Sequence, residues 1–346
     1  MVSKFVPKLW VSLVLLFALT ALTAAATPNN VQDKKQEQKP EQKKEQGPQM
    51  SKDEAAAIDK VNKASGADAK LKAAAEYNKK FSKSATRPKL ADYVANQIAQ
   101  VQDNNQKLKL SEEFTKVFPA EDAELIKPVL IDGYFTANKF DEALNESAKY
   151  LEKNPEDVPV LVQIAWTGAT QTQKQAASPK LTQAAVQASA KAVELMEADK
   201  RPVRMDDKTW GEYRNSWLWR LYQVRGVLLL NSDKVAAKES LEKAIGIEPN
   251  EPTILFTLSN LASNDYQSLA EQYQKEKKQE LYDKALEKMD EAIDWMARFV
   301  AATEGNAQYK EVSQQMMENL KQYYSFRFNG KTDGLAGLID KYKKKG

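Results

Sequence analysis

The stretch from Leu221 to Pro249, LYQVRGVLLLNSDKVAAKESLEKAIGIEP, sets the tightest limit on what this chain can fold into. Val224, Leu228, Ala237, Leu241, Ala244 and Pro249 follow one another at steps of four, nine, four, three and five. Steps of three and four keep side chains on one face of a helix, and the step of nine carries the pattern across a turn into a second helix. The proline then closes the hairpin, because it cannot extend the hydrogen-bond ladder. The same steps recur in Leu130, Tyr134, Ala143, Ser147, Tyr150 and Pro155.

Two copies of one helical hairpin predict an all-α chain built by repetition. The pattern resembles the tetratricopeptide repeat (TPR), which has a period of about 34 residues, alanines at close helix contacts and a closing proline. The clearest copies span about residues 124–157 and 218–251. The resemblance implies a right-handed superhelical solenoid of antiparallel hairpins (TPR-like) over residues 51–346, and the residues before it read from their own composition as a signal or anchor segment and a disordered linker. It also implies that the first helix of each hairpin lines a concave groove holding a segment of another protein. Carried across by spacing, the groove candidates are Asp132, Phe135, Val162, Trp166, Trp219, Tyr222, Phe256 and Asn260. They are mostly apolar or aromatic, which favours apolar anchors on the partner. Family members that clamp the carboxylate tails of cytoplasmic chaperones use lysine and asparagine where this chain has Pro128, Val162, Tyr222 and Phe256, or Asp132, Trp166, Gly226 and Asn260. Only Asn260 agrees, so the resemblance does not extend to that partner.

Departures from the step of nine mark insertions. Gly168 to Ala185 is a step of 17, and the polar run Thr170 to Ala177 absorbs the excess before Ser178-Pro179 restarts a helix as cap and first residue. Ala262 to Ala285 is a step of 23, which suits two helices each lengthened by about two turns. Upstream, Ser51 and Glu54 fit a capping box, Ala67 to Phe81 is amphipathic, and Arg87-Pro88 begins a third helix. Leu108 to Pro119 reads as a degenerate second helix. Tyr134 is expected to fill the space between its paired helices, and Lys200 to Asn215 to form a polar connection. Gln308 to Lys345 reads as a helix, a turn at Asn329-Gly330 and a final capping helix.

At the other end, Lys4 and Lys8 precede the apolar run Leu9 to Leu22 and the small residues Ala24-Ala25-Ala26. This is the layout of an export signal over residues 1–26, with cleavage favoured after Ala26. An uncleaved anchor using residues 9–26 is the competing reading. Either places the remaining chain outside the cytoplasm, in a bacterial periplasm or cell envelope, and gives it membrane contact only through this segment. Residues 27–50 mix Lys, Glu and Gln with almost no apolar side chain, a composition that cannot offset ordering entropy.

Charge and composition then exclude whole classes of function. With 51 Lys plus Arg against 48 Asp plus Glu there is no global field drawing the chain to nucleic acid. Cysteine and histidine are both absent, which removes thiolate chemistry, the commonest general base and the commonest metal ligand. No cofactor or phosphate-loop motif appears, and Asn329, Asp333, Gly334 and Asp340 only faintly echo a calcium loop, with Lys331 in a ligand position. Adjacent Asp206-Asp207 suits a helix cap better than a carboxylate dyad. The sequence therefore points to a non-enzymatic protein-binding scaffold. A second reading is a carbohydrate- or cell-wall-binding module using Trp210, Trp217 and Trp219 as an exposed platform.

Overall fold

The computed structural model describes residues 50–343, and the residues read as a signal or anchor segment and nearly all of those read as a linker lie outside them. The described residues are all-helical and contain no strand. In chain order the helices are α1 (Lys52–Lys63), α2 (Gly66–Phe81), α3 (Arg87–Ala99), α4 (Asn104–Val117), α5 (Ala120–Ala123), α6 (Lys127–Thr136), α7 (Phe140–Lys153) and α8 (Val158–Gln173). They continue with α9 (Pro179–Glu197), α10 (Asp207–Leu229), α11 (Lys234–Ile247), α12 (Pro252–Glu276), α13 (Gln279–Ala302), α14 (Lys310–Arg327) and α15 (Leu335–Tyr342). None of them is long and apolar enough to cross a membrane.

Local chemistry sets most of these boundaries. The Ser178 hydroxyl accepts from the Leu181 amide at 3.2 Å, with Pro179 at the first helical position, as the sequence predicts. Asp206 and Asp233 cap α10 and α11 through the Thr209 and Ala236 amides, at 2.7 and 3.0 Å. These side chains satisfy donors that a helix start would otherwise leave open. Asn138 and Lys277 take left-handed backbone angles, φ 58° and 54°, in the turns after α6 and α12. At the last turn both Asn329 (φ 53°) and Gly330 (φ 88°) do so.

Three expectations are corrected. Ser51 does cap α1, accepting from the Glu54 amide at 3.1 Å, but the Glu54 carboxylate turns away to accept from the Tyr77 hydroxyl at 2.7 Å and from Ser84. The connection expected over Lys200 to Asn215 is helical from Asp207 onward, because the Asp206 cap starts α10 two turns earlier than the apolar spacing suggests. Tyr134 is half-buried beside Glu112 of α4, its hydroxyl pushed up to about 12 chiefly by burial, while Ile131 and Phe135 fill the core of that hairpin.

Consecutive helices pair along α6 and α7, α8 and α9, α10 and α11, and α12 and α13, while α6 also meets α8 and α8 meets α10. Small residues let two pairs approach closely. A Cβ on Gly168 would stand 2.2 Å from that of Ala185, and one on Gly226 would stand 2.6 Å from Leu241 Cγ. The insertions fall where the spacing places them. A loop follows α8 at Lys174, and α12 and α13 reach 25 and 24 residues against 14 in α11. Buried apolar residues form two clusters, one from Val61 to Ile126 and the other from Ile131 to Ile339.

Candidate functional site

The helices α6, α8, α10 and α12 open their hairpins, so their outward strips are where a groove would lie. Contacts join these four in succession. Gln163 of α8 donates to the Asp132 carboxylate of α6. Trp166 of α8 meets Trp217 of α10 edge-on, with ring centroids 5.4 Å apart. Gln223 of α10 donates to the Thr253 hydroxyl of α12 at 2.6 Å.

Of the eight predicted groove residues, four are half-buried and four are core. Phe135, Val162, Tyr222 and Phe256 are all buried. Phe256 packs on Phe299 of α13 at 5.8 Å. Tyr222 donates its hydroxyl to Glu197 of α9, and burial followed by that bond pushes its ionisation up. Asp132, Trp166, Trp219 and Asn260 are half-buried. The register differs because each first helix is packed by its hairpin partner and by neighbours on either side, so only a narrow strip stays open.

That strip is more polar than the spacing implies. On α8 it carries Gln163, Trp166 and Thr167, on α10 Ser216, Trp219, Arg220 and Gln223, and on α12 Thr253, Thr257 and Asn260, all half-buried. Within each helix these lie three, four or seven residues apart, or adjacent, and so share a side. The polar members were invisible to a search for apolar anchors, although their three-and-four spacing beside Trp166 and Trp219 is a signal that could have found them.

Electrostatically the strip is nearly neutral. Burial raises the Asp132 carboxyl above its ordinary value, against the opposing pull of Lys107 and the Gln163 hydrogen bond. Burial lowers Arg220, whose guanidinium lies over the Trp219 ring at 4.3 Å and faces Glu251 and Glu248. Such a surface combines hydrogen-bonding side chains with two half-buried indoles. Among the described residues no three carboxylates gather at metal-ligand spacing.

The expected tryptophan platform takes a different form. Trp210 is buried and donates its indole N–H to Asp199 at 2.8 Å. Tyr213 stacks beside it at 6.3 Å, Trp217 follows at 6.0 Å, and Trp166 completes the row. This row seals α8 against α10, with Trp217 held between Tyr213 and Trp166. Trp219 alone of the three proposed sugar-binding tryptophans lies outside it. No family model matches the chain, and no curated protein matches it.

Proposed function

We propose that the chain is a non-enzymatic protein-binding scaffold of tetratricopeptide type, exported to the bacterial cell envelope, whose hairpins form a right-handed solenoid. The concave strip of α6, α8, α10 and α12 takes an extended segment of another protein. One observation supports this reading: side-chain contacts join these four helices in succession and leave a polar strip along them in which Trp166 and Trp219 are half-buried. Amides and hydroxyls on such a strip suit the alternating donors and acceptors of an extended backbone, and the two indoles suit apolar side chains on it. The glycan reading has less support, since Trp210 is buried and Trp217 is half-buried against Tyr213 and Trp166, so the three tryptophans form no flat exposed platform.

A photo-crosslinking residue placed at Thr167 or Asn260 of the full chain in its native envelope tests the proposal. Both positions should capture the same protein, and a position on the exposed outer side of α11, Glu239, should not. Trp166→Ala with Trp219→Ala, in a variant with unchanged helical content, should weaken that capture about tenfold or more, as loss of two aromatic anchors does. Equal capture from Glu239, or full capture by the double variant, would sink the groove assignment. Mature N-terminal sequencing separates the two export readings, a start at Thr27 marking a cleaved signal and an intact N-terminus marking the anchor.

A further inference from the structure

A second surface lies at the opposite end of the described chain. Residues 77–91, YNKKFSKSATRPKLA, hold five basic side chains and no acidic one. Lys79, Lys80, Lys83 and Lys89 are all exposed. Glu76, the acid that precedes them, is taken by Lys60. Among the described residues none of the four lysines forms an ion pair, whereas the fifth cation, Arg87, is held by Asp122 at 2.5 Å and Glu121 at 2.8 Å.

The turn that carries them is fixed on several sides. The Thr86 amide donates to the Ser84 hydroxyl at 3.0 Å, the Arg87 amide donates to the Ser84 carbonyl at 3.2 Å, and the Arg87 guanidinium donates to the Ser82 carbonyl. Ser84 in turn donates to Glu54, in the first turn of α1. Asn78 donates to the Val117 carbonyl at 3.0 Å, which brings the end of α4 alongside and with it the exposed Lys116. The backbone under the lysines is therefore held in place, with Lys79 and Lys80 in the last turn of α2, Lys83 in the turn and Lys89 in the first turn of α3.

Position says what this charge faces. Ser51 and Glu54 lie where residues 1–49 join the helices, so in the anchored form, in which residues 9–26 are kept, the basic turn flanks the point from which the chain runs back to the apolar segment Leu9 to Leu22. We infer that this end of the molecule, with Lys79, Lys80, Lys83 and Lys89 as its contact points, docks on a bilayer bearing anionic phospholipid headgroups. Clustered lysines beside a membrane are attracted within about a Debye length of the surface, and several acting together give binding that salt abolishes. Such docking would orient the helical body with α1 to α4 nearest the lipid, leaving the strip on α8, α10 and α12 farther away.

Because the chain contains no cysteine, a single Ser82→Cys substitution carries an environment-sensitive dye at the turn. The full-length protein is mixed with vesicles of neutral phosphatidylcholine or with vesicles containing one third phosphatidylglycerol. The dye should shift to the blue on the anionic vesicles only, and revert in concentrated salt. Changing the four lysines to glutamine in the same labelled chain should weaken the response about tenfold or more. A dye at Ser232, between α10 and α11, should respond to neither vesicle. An equal response at Ser82 on neutral vesicles would assign binding to the apolar N-terminal run alone and overturn the inference. So would an unchanged response after the lysine substitutions, or a response to soluble polyanions with none to vesicles.

Discussion

The cluster built on Val61 to Ile126 and the one built on Ile131 to Ile339 solve the same packing problem by different means. The second brings helices together over missing side chains, with Gly168 on Ala185 and Gly226 on Leu241. In the first, polar pins tie helix ends. Lys70, itself buried, donates to the Asn62 carbonyl at 2.9 Å and lies 5.1 Å from the Tyr93 ring. Arg87 reaches the buried Asp122, and Glu54 gathers Tyr77 and Ser84. A small residue at a helix contact sits within the three-and-four spacing of its own helix, whereas a pin depends on which distant residue meets which. The first region therefore carries the three-and-four spacing of its separate helices but no copy of the repeat's step of nine.

The comparison can be tested from either side. The largest effect is expected from Arg87→Ala, which leaves the Asp122 carboxylate buried without its partner and should cost about 3 kcal/mol. Hydrogen exchange should show the loss of protection in α2 to α4 ahead of α8 to α13. A uniform loss across both regions would mean that they unfold as one unit. Next comes Gly168→Ala, where helix propensity alone would stabilise, yet the new Cβ meets a rigid neighbour at 2.2 Å. Urea denaturation should show a net cost of about 1–3 kcal/mol.

The matched control, Gly211→Ala in α10, adds a Cβ with no heavy atom near it and should stabilise by about 0.5–1 kcal/mol. If the two glycine variants behave alike, close approach is not what sets the second region apart. The smallest effect concerns Asp132, at the start of the larger cluster. Burial holds its carboxyl above the ordinary 3.8, so the folded chain binds that proton more tightly than the unfolded one. Its unfavourable contribution is thus full at neutral pH, shrinks as pH falls through the raised value, and is gone below 3.8. Asp132→Asn should be the more stable form at neutral pH, with the gap in denaturation midpoint closing as the solution is acidified.

How much of this could be read from residues alone follows the same division. Val224, Leu228, Ala237, Leu241 and Ala244 are all buried at 5% exposure or less, which is why their spacing located the α10 and α11 hairpin. Ser178-Pro179 located the start of α9 because capping is a local event. By contrast, the use of Glu54 depends on Tyr77 and Ser84, which are 23 and 30 residues away, and no local pattern encodes that. The exposure of the proposed groove residues was half legible. Spacing placed Trp166, Trp219 and Asn260 at half-buried positions, but burial of Val162, Tyr222 and Phe256 depends on how neighbouring hairpins sit against them. Trp210 shows the same limit, since its aromatic neighbours in sequence gave no hint of the Asp199 hydrogen bond that holds it inside.

The length of the α12 and α13 hairpin has a consequence for how the chain can change. None of residues 271–284, which span its tip and the turn at Lys277, is buried. Core contacts begin again only at Ala270 on one side and Ala285 on the other. Cleavage, insertion of a foreign sequence or relocation of the chain termini to this tip would leave both cores intact. It is the place where the protein can be opened or lengthened and still fold.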